Sequence, residues 1–332
     1  MFADASLPII FAGLMALSII VYAILDGYDL GVGILLPLEN GQQADQMIAS
    51  IGPFWDANET WLVLAVGLLL IAFPSAHNVI LKALYIPSAI MLVGLILRGV
   101  AFDFRAKVAQ VNKHRWNQIF KLGSFIASSS QGFMLGSYVM GFESSATAYL
   151  FSALSALGVT CAYALIGSTW LILKTSDDLQ LRAINWAKIT GKISFVGILA
   201  VCVVNPLINS FVFERWTSAP LLYFVAIIPF VCFTLLFIGH LVLNQLPLKD
   251  DSGCWLPFLI TVVVYVFCFG GLAFSFYPYV VPGKLTIWQA ASAPESLSFI
   301  LYGALIVIPC ILAYTIFSYR VFWGKVEDLR YY

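Results

Sequence analysis

The sequence predicts an all-α integral membrane protein with nine transmembrane helices, grouped as two four-helix bundles plus one peripheral helix. Three observations lead there. The chain of 332 residues is 61% hydrophobic and only 10% charged, whereas a soluble domain carries about a quarter charged residues. Its mean hydropathy is +0.94. Nine apolar runs approach the roughly 20 residues that a helix needs to cross the hydrocarbon core. The formal net charge is zero, which gives no reason to expect a nucleic acid partner. The whole chain, 1–332, reads as a single polytopic domain.

The first run, 7–25, follows a start with neither a basic region nor a small-residue cleavage site, so it reads as a span and not as a removed signal. Gly27, Gly31 and Gly33 come next. Gly27 and Gly31 have the small-xxx-small spacing that lets helices approach closely, and the helix end can also unwind there. The second run, 57–73, is short and reaches useful length only if Asp56 or Glu59 lies in its first turn. Asp56 is the expected N-cap, because its carboxylate can accept from the free N–H groups of that turn. Runs at 83–102, 119–140, 148–173, 193–213, 220–243, 255–277 and 298–319 complete the set, and their even spacing suits helix bundles. The six cysteines are scattered singly with no CxxC pair and read as small core hydrophobes. Tryptophans gather near the expected helix ends as interfacial anchors. Trp61 differs, lying more than a turn inside the second span.

Orientation follows from Lys and Arg. The loops after the third, fifth and seventh spans, with the C-terminal tail, hold thirteen of these residues against three (Lys82, Arg215 and Lys284) in the alternate set. With nine spans this predicts a cytoplasmic C-terminus and an external N-terminus.

Residues 26–61 hold six acids (Asp26, Asp29, Glu39, Asp45, Asp56 and Glu59) and no Lys or Arg. On the predicted topology this segment lies at the cytoplasmic face. Asp26 and Asp29, like Asp56 and Glu59, are three residues apart and share a helix face. Arg98, Asp103 and Arg105 close the third span at the same face. One reading is mutual neutralisation that pins three helices together. The other is a proton or cation path, the usual reason for costly intramembrane carboxylates. The two are compatible.

Histidine limits the redox chemistry of the chain. His77, His114 and His240 are the only three, and only His240 lies in a span, so a haem with two His ligands has no intramembrane pair to use. A hydrogen-bonding role is the simpler reading of His240. No zinc, copper or iron–sulfur spacing is present. Residues alone therefore leave two classes open: an accessory subunit of a membrane complex with a proton-handling acid cluster, or a secondary transporter or proton-coupled carrier. The lack of a visible internal repeat speaks against the second.

Four ordered blocks carry a resemblance. Asp26-Gly27-Tyr28-Asp29-Leu30-Gly31-Val32-Gly33 resembles the first-helix signature of subunit II of cytochrome bd-type quinol oxidases. Trp55-Asp56-Ala57-Asn58-Glu59-Thr60-Trp61 is similar to the family's WDGNE-x-W block. Leu97-Arg98-Gly99-Val100-Ala101-Phe102-Asp103-Phe104-Arg105 is similar to its RGVAFEFR block. Tyr277-Pro278-Tyr279-Val280-Val281-Pro282 with Leu285-Thr286-Ile287-Trp288 is similar to its aromatic-Pro and L-T-x-W segments. Chain length and Glu59-Thr60 look closest to the cyanide-insensitive branch. Ala57 replaces the usual Gly, and Asp103 stands where Glu is common, which keeps the charge but shortens the reach.

The resemblance implies a heterodimer in a bacterial inner membrane. In such complexes subunit I holds haem b and haem d and oxidises ubiquinol, while subunit II binds no haem and no metal and has no complete active site of its own. It further implies electrogenic oxygen reduction with cytoplasmic protons, supplied through acids matching Asp56 and Asp103. Asp26, Asp29 and Glu59 would be supports or secondary relay members, and Arg98 and Arg105 electrostatic partners. Trp61 matches the start of an oxygen path, with aromatic packing as the alternative. Some members hold a structural ubiquinone in this subunit, and a small accessory subunit and membrane lipid complete the expected partners.

Overall fold

A computed structural model describes residues 2–39, 41–108, 112–218 and 221–326. The chain runs α1 (Phe2–Leu35), α2 (Gly41–Ile51), α3 (Trp55–Ala72), α4 (Pro74–Lys107), α5 (Lys113–Val139), α6 (Ala146–Lys174), α7 (Asp177–Ile208), α8 (Ser210–Thr217), α9 (Leu221–Gln245) and α10 (Leu256–Phe276). A two-stranded antiparallel hairpin, β1 (Tyr279–Val281) and β2 (Leu285–Thr286), leads through the single turn α11 (Ile287–Ala290) into α12 (Pro294–Val321).

Eight of these helices are long and apolar enough to cross a membrane: α1, α3, α4, α6, α7, α9, α10 and α12. The sequence led to nine. The difference is α5, whose 27 residues have the length but include Ser124, Ser128, Ser129, Ser130 and Gln131. That polarity is tolerated because α5 lies between α4 and α6, where Ser124, Ser128 and Ser130 are buried. α1 packs against α3, α5 and α6; α6 continues to α7 and α10, and α9 pairs with α10. α12 rests on α1 and is the least buried of the eight.

Two boundaries differ from expectation in ways that matter for the site. α1 does not stop at residue 25 but runs unbroken to Leu35. Its glycines are used for contact, not for unwinding: a Cβ built on Gly31 would lie 1.8 Å from the backbone oxygen of Tyr163, and one on Gly167 would lie 2.5 Å from the Gly31 carbonyl carbon. The α1 and α6 backbones therefore touch, a contact only glycine permits. α3 begins at Trp55 with Phe54 as its N-cap residue, so Asp56 is not the cap. Its carboxylate sits inside the first turn, where the helix dipole favours it. α2 was not expected, yet Ala44, Met47, Ile48 and Ile51 are buried at the i, i+3, i+4, i+7 spacing of an amphipathic helix. The sixth expected span, 193–213, is divided: α7 ends at Ile208, and Asn209 accepts from the Val212 N–H to start α8.

Candidate functional site

The continuous α1 places Asp26 and Asp29 within a helix, both fully buried. Their spacing turns them toward α3 and α4. The Arg98 guanidinium, itself 1% exposed, forms an ion pair with Asp26 at 2.7 Å and a second with Glu59. One Arg from α4 thus ties α1 to α3. Asp29 is held differently: Asn58 Nδ2 donates to its Oδ2 at 2.8 Å and to the Tyr28 hydroxyl at 2.9 Å. Tyr28 and Tyr319 share a hydrogen bond at 2.5 Å, so α12 also reaches the cluster. Deeper along α1, Gln131 donates to the Tyr22 hydroxyl at 2.7 Å and accepts from the Tyr163 hydroxyl at 2.6 Å.

Aromatic rings wall this network. Tyr28 stacks on Trp170 at 4.2 Å between ring centroids, and Phe54 stacks on Tyr319 at 4.5 Å. Trp61 is 0% exposed, and among the described residues its indole N–H has no hydrogen-bond acceptor.

The remaining candidates lie toward the helix ends. Arg105 does not join the Arg98 cluster. It pairs with Asp45 of α2 and donates from Nε to Asn117 Oδ1 at 2.6 Å. Asp56 and Asp103 are both exposed. The adjacent rings of Trp55 and Phe102 touch at 5.0 Å, so both acids stand on one rim of the bundle. Asn58, Tyr28 and Tyr319, and Asp45 as a partner of Arg105, were missed by counting charges. Asn58 was the one detectable in sequence, an amide inside an apolar helix between two acids.

A second polar knot sits at the same end of the bundle. Gln180 Nε2 donates to Asp251 Oδ1 at 3.0 Å, Cys254 Sγ donates to the same oxygen at 3.3 Å, and Lys325 pairs with Oδ2 at 3.1 Å. Burial pushes Asp251 up, but the bonds from Gln180, Lys325 and Cys254 and the Lys325 charge outweigh it, leaving its carboxyl below the usual range. The Cys254 thiol is pushed up to about 11 by burial and by Asp251.

The histidines do not gather. His77, His114 and His240 lie on α4, α5 and α9, and His114 Nδ1 donates to the Leu38 carbonyl at 3.0 Å. Among the described residues no group of three His, Cys, Asp or Glu side chains is arranged to hold a metal.

Fold and site together define a multi-pass α-helical membrane protein with a buried, ion-paired acid cluster at one end of its bundle. The chain belongs to the family of cytochrome bd terminal oxidase subunit II, whose model matches residues 7–322. It is 28% identical over 346 residues to the cytochrome bd ubiquinol oxidase subunit 2 of Bacillus subtilis (97% of this chain, 98% of that one). It is 25% identical over 369 residues to the cytochrome bd-I ubiquinol oxidase subunit 2 of Escherichia coli K12 (96% and 95%). The fold is similar to a chain in the structure of the bd oxidase from Geobacillus thermodenitrificans, with a TM-score of 0.77, 18% identity and coverage of 96% of this chain and 99% of that one.

Proposed function

We propose that this chain is the haem-free subunit II of a quinol:oxygen oxidoreductase. It spans the membrane nine times, α5 included, as two four-helix bundles plus peripheral α12, with the N-terminus outside and the C-terminus in the cytoplasm. Its partner subunit I carries haem b, haem d and ubiquinol oxidation. When bound there, the haems supply the electron transfer and oxygen reduction. This chain stabilises the partner and delivers protons from the cytoplasm, making the reaction electrogenic.

The observation that carries the proton role is the ratio of charges. Two carboxylates, Asp26 and Glu59, pair with the one guanidinium of Arg98, and a third, the buried Asp29, is held beside them by Asn58 with no cation of its own among the described residues. An excess of buried acid over base is the arrangement expected of a proton relay. Asp56 and Asp103 on the exposed rim would collect protons, and Glu59, three residues from Asp56 on the same helix face, would receive them. Asp26 and Asp29 serve as supports or further relay members, with Arg98 and Arg105 as electrostatic partners. Trp61 lines an oxygen path, a role its full burial supports.

The test is Asp56→Asn in the whole complex. Turnover falls about tenfold or more while the haem spectrum stays normal. Loss of the haem d band would instead assign Asp56 to assembly, and full turnover would remove it from the proton path.

A further inference from the structure

A cavity of about 630 Å³ opens beside the α1–α2 connection, away from the acid cluster. Leu36 and Leu38 line it together with Lys121 of α5 and Arg182 and Trp186 of α7. We propose that this cavity binds a phosphate group, with an anionic phospholipid headgroup as its main source. The inference does not depend on the proton path.

Two cations share the lining, and among the described residues neither pairs with a carboxylate. Both are nonetheless positioned. Lys121 Nζ donates to the Leu36 carbonyl at 3.1 Å. Arg182 Nη1 donates to Gln43 Oε1 at 2.9 Å, and its guanidinium lies 5.0 Å over the Trp186 ring. An Arg fork placed over a tryptophan face keeps further N–H donors for an oxyanion, and an ammonium adds a point charge beside it. Among the described lining residues Glu39 is the one acid; it is exposed and leaves the two cations in excess.

The surroundings favour a lipid over free phosphate. Lys121 stands two turns into α5 and Arg182 in the second turn of α7, toward the end of the bundle where the α1–α2 connection lies and where a headgroup layer would meet the protein. Beyond them the same helix faces turn apolar and open. Phe125 is one turn from Lys121, and Ile189 and Ile193 continue the Arg182–Trp186 face of α7; all three are exposed. A headgroup at these cations would therefore lay its acyl chains on a ready apolar track, with Trp186 at the boundary.

The test uses the purified whole oxidase. Thermal stability is measured with added phosphatidylglycerol, with diacylglycerol of the same chains, and with inorganic phosphate at matched ionic strength. Native mass spectrometry counts retained phosphatidylglycerol. Stabilisation by phosphatidylglycerol but not by diacylglycerol is expected. A tenfold or larger loss of retained lipid is expected in Lys121→Gln/Arg182→Gln, each charge-assisted contact being worth about tenfold. The charge-preserving Lys121→Arg complex, with Arg182 intact, should keep most of the binding. Stabilisation by inorganic phosphate alone, lost in the Gln pair, would confirm the phosphate site and assign it to the free anion. Equal stabilisation by phosphatidylglycerol and diacylglycerol with no effect of phosphate, or wild-type retention in the Gln pair, would overturn the proposal.

Discussion

Neutralising Arg98 is the most direct probe of the cluster. At 2.7 Å from Asp26 and an effective dielectric constant of about 20, the pair attracts by about 6 kcal/mol. Much of that offsets the desolvation of two ions that are 1% and 0% exposed. Arg98→Gln leaves Asp26 buried and uncompensated, which costs about 3–5 kcal/mol. Glu59, with 29% of its side chain exposed, keeps water and adds little. The measurement is the unfolding free energy of the purified complex in a detergent titration, followed by tryptophan fluorescence. In the double variant Arg98→Gln/Asp26→Asn both charges are gone, and most of the loss should return. If the single variant lies within about 0.5 kcal/mol of wild type, or if the two losses simply add, the ion pair does not hold α1 to α4.

Three further outcomes follow from the geometry. Gly31→Ala drives a Cβ to 1.8 Å from the backbone of α6 and should destabilise the complex by about 3 kcal/mol or more; Gly13→Ala, where nothing lies within 4 Å, should not, and thermal melts compare them. Asp251, held below the ordinary carboxylate value, contributes stability that is present above that ordinary value and lost as pH falls through its folded one. The gap in melting temperature between wild type and Asp251→Asn should therefore close as pH drops from 7 toward 3, and a constant gap would contradict it. Replacing Trp61 by Leu should alter the apparent oxygen affinity of the complex; an unchanged affinity with full activity would leave Trp61 as packing only.

The spans were readable because apolar runs of membrane length have few other uses. α5 is the instructive case, since its serines would mark a solvated helix in a soluble protein and here mark an enclosed one. The ends of α1 were misjudged for a physical reason: the glycines that weaken a helix alone are what let this one lie against Gly167. Within the site, Arg98 and its acids were legible from charge in an apolar setting. Arg105 was legible as a charge but not in its partner, because Asp45 reaches it only through α2. Tyr319, more than 250 residues from Asn58, gave no local signal.

The 18 residues of α3 extend about 27 Å, close to the thickness of the hydrocarbon layer, so its numbering gauges depth. Glu59 lies four residues from Trp55, or about 6 Å. A proton passing from that face to Glu59 would cross about a fifth of the electrical drop. At 100 mV that is about 0.5 kcal/mol out of the roughly 2.3 kcal/mol for a full crossing. On the proposed path, protonation of Glu59 would thus carry about a fifth of the voltage dependence, and the rest would fall on steps beyond it.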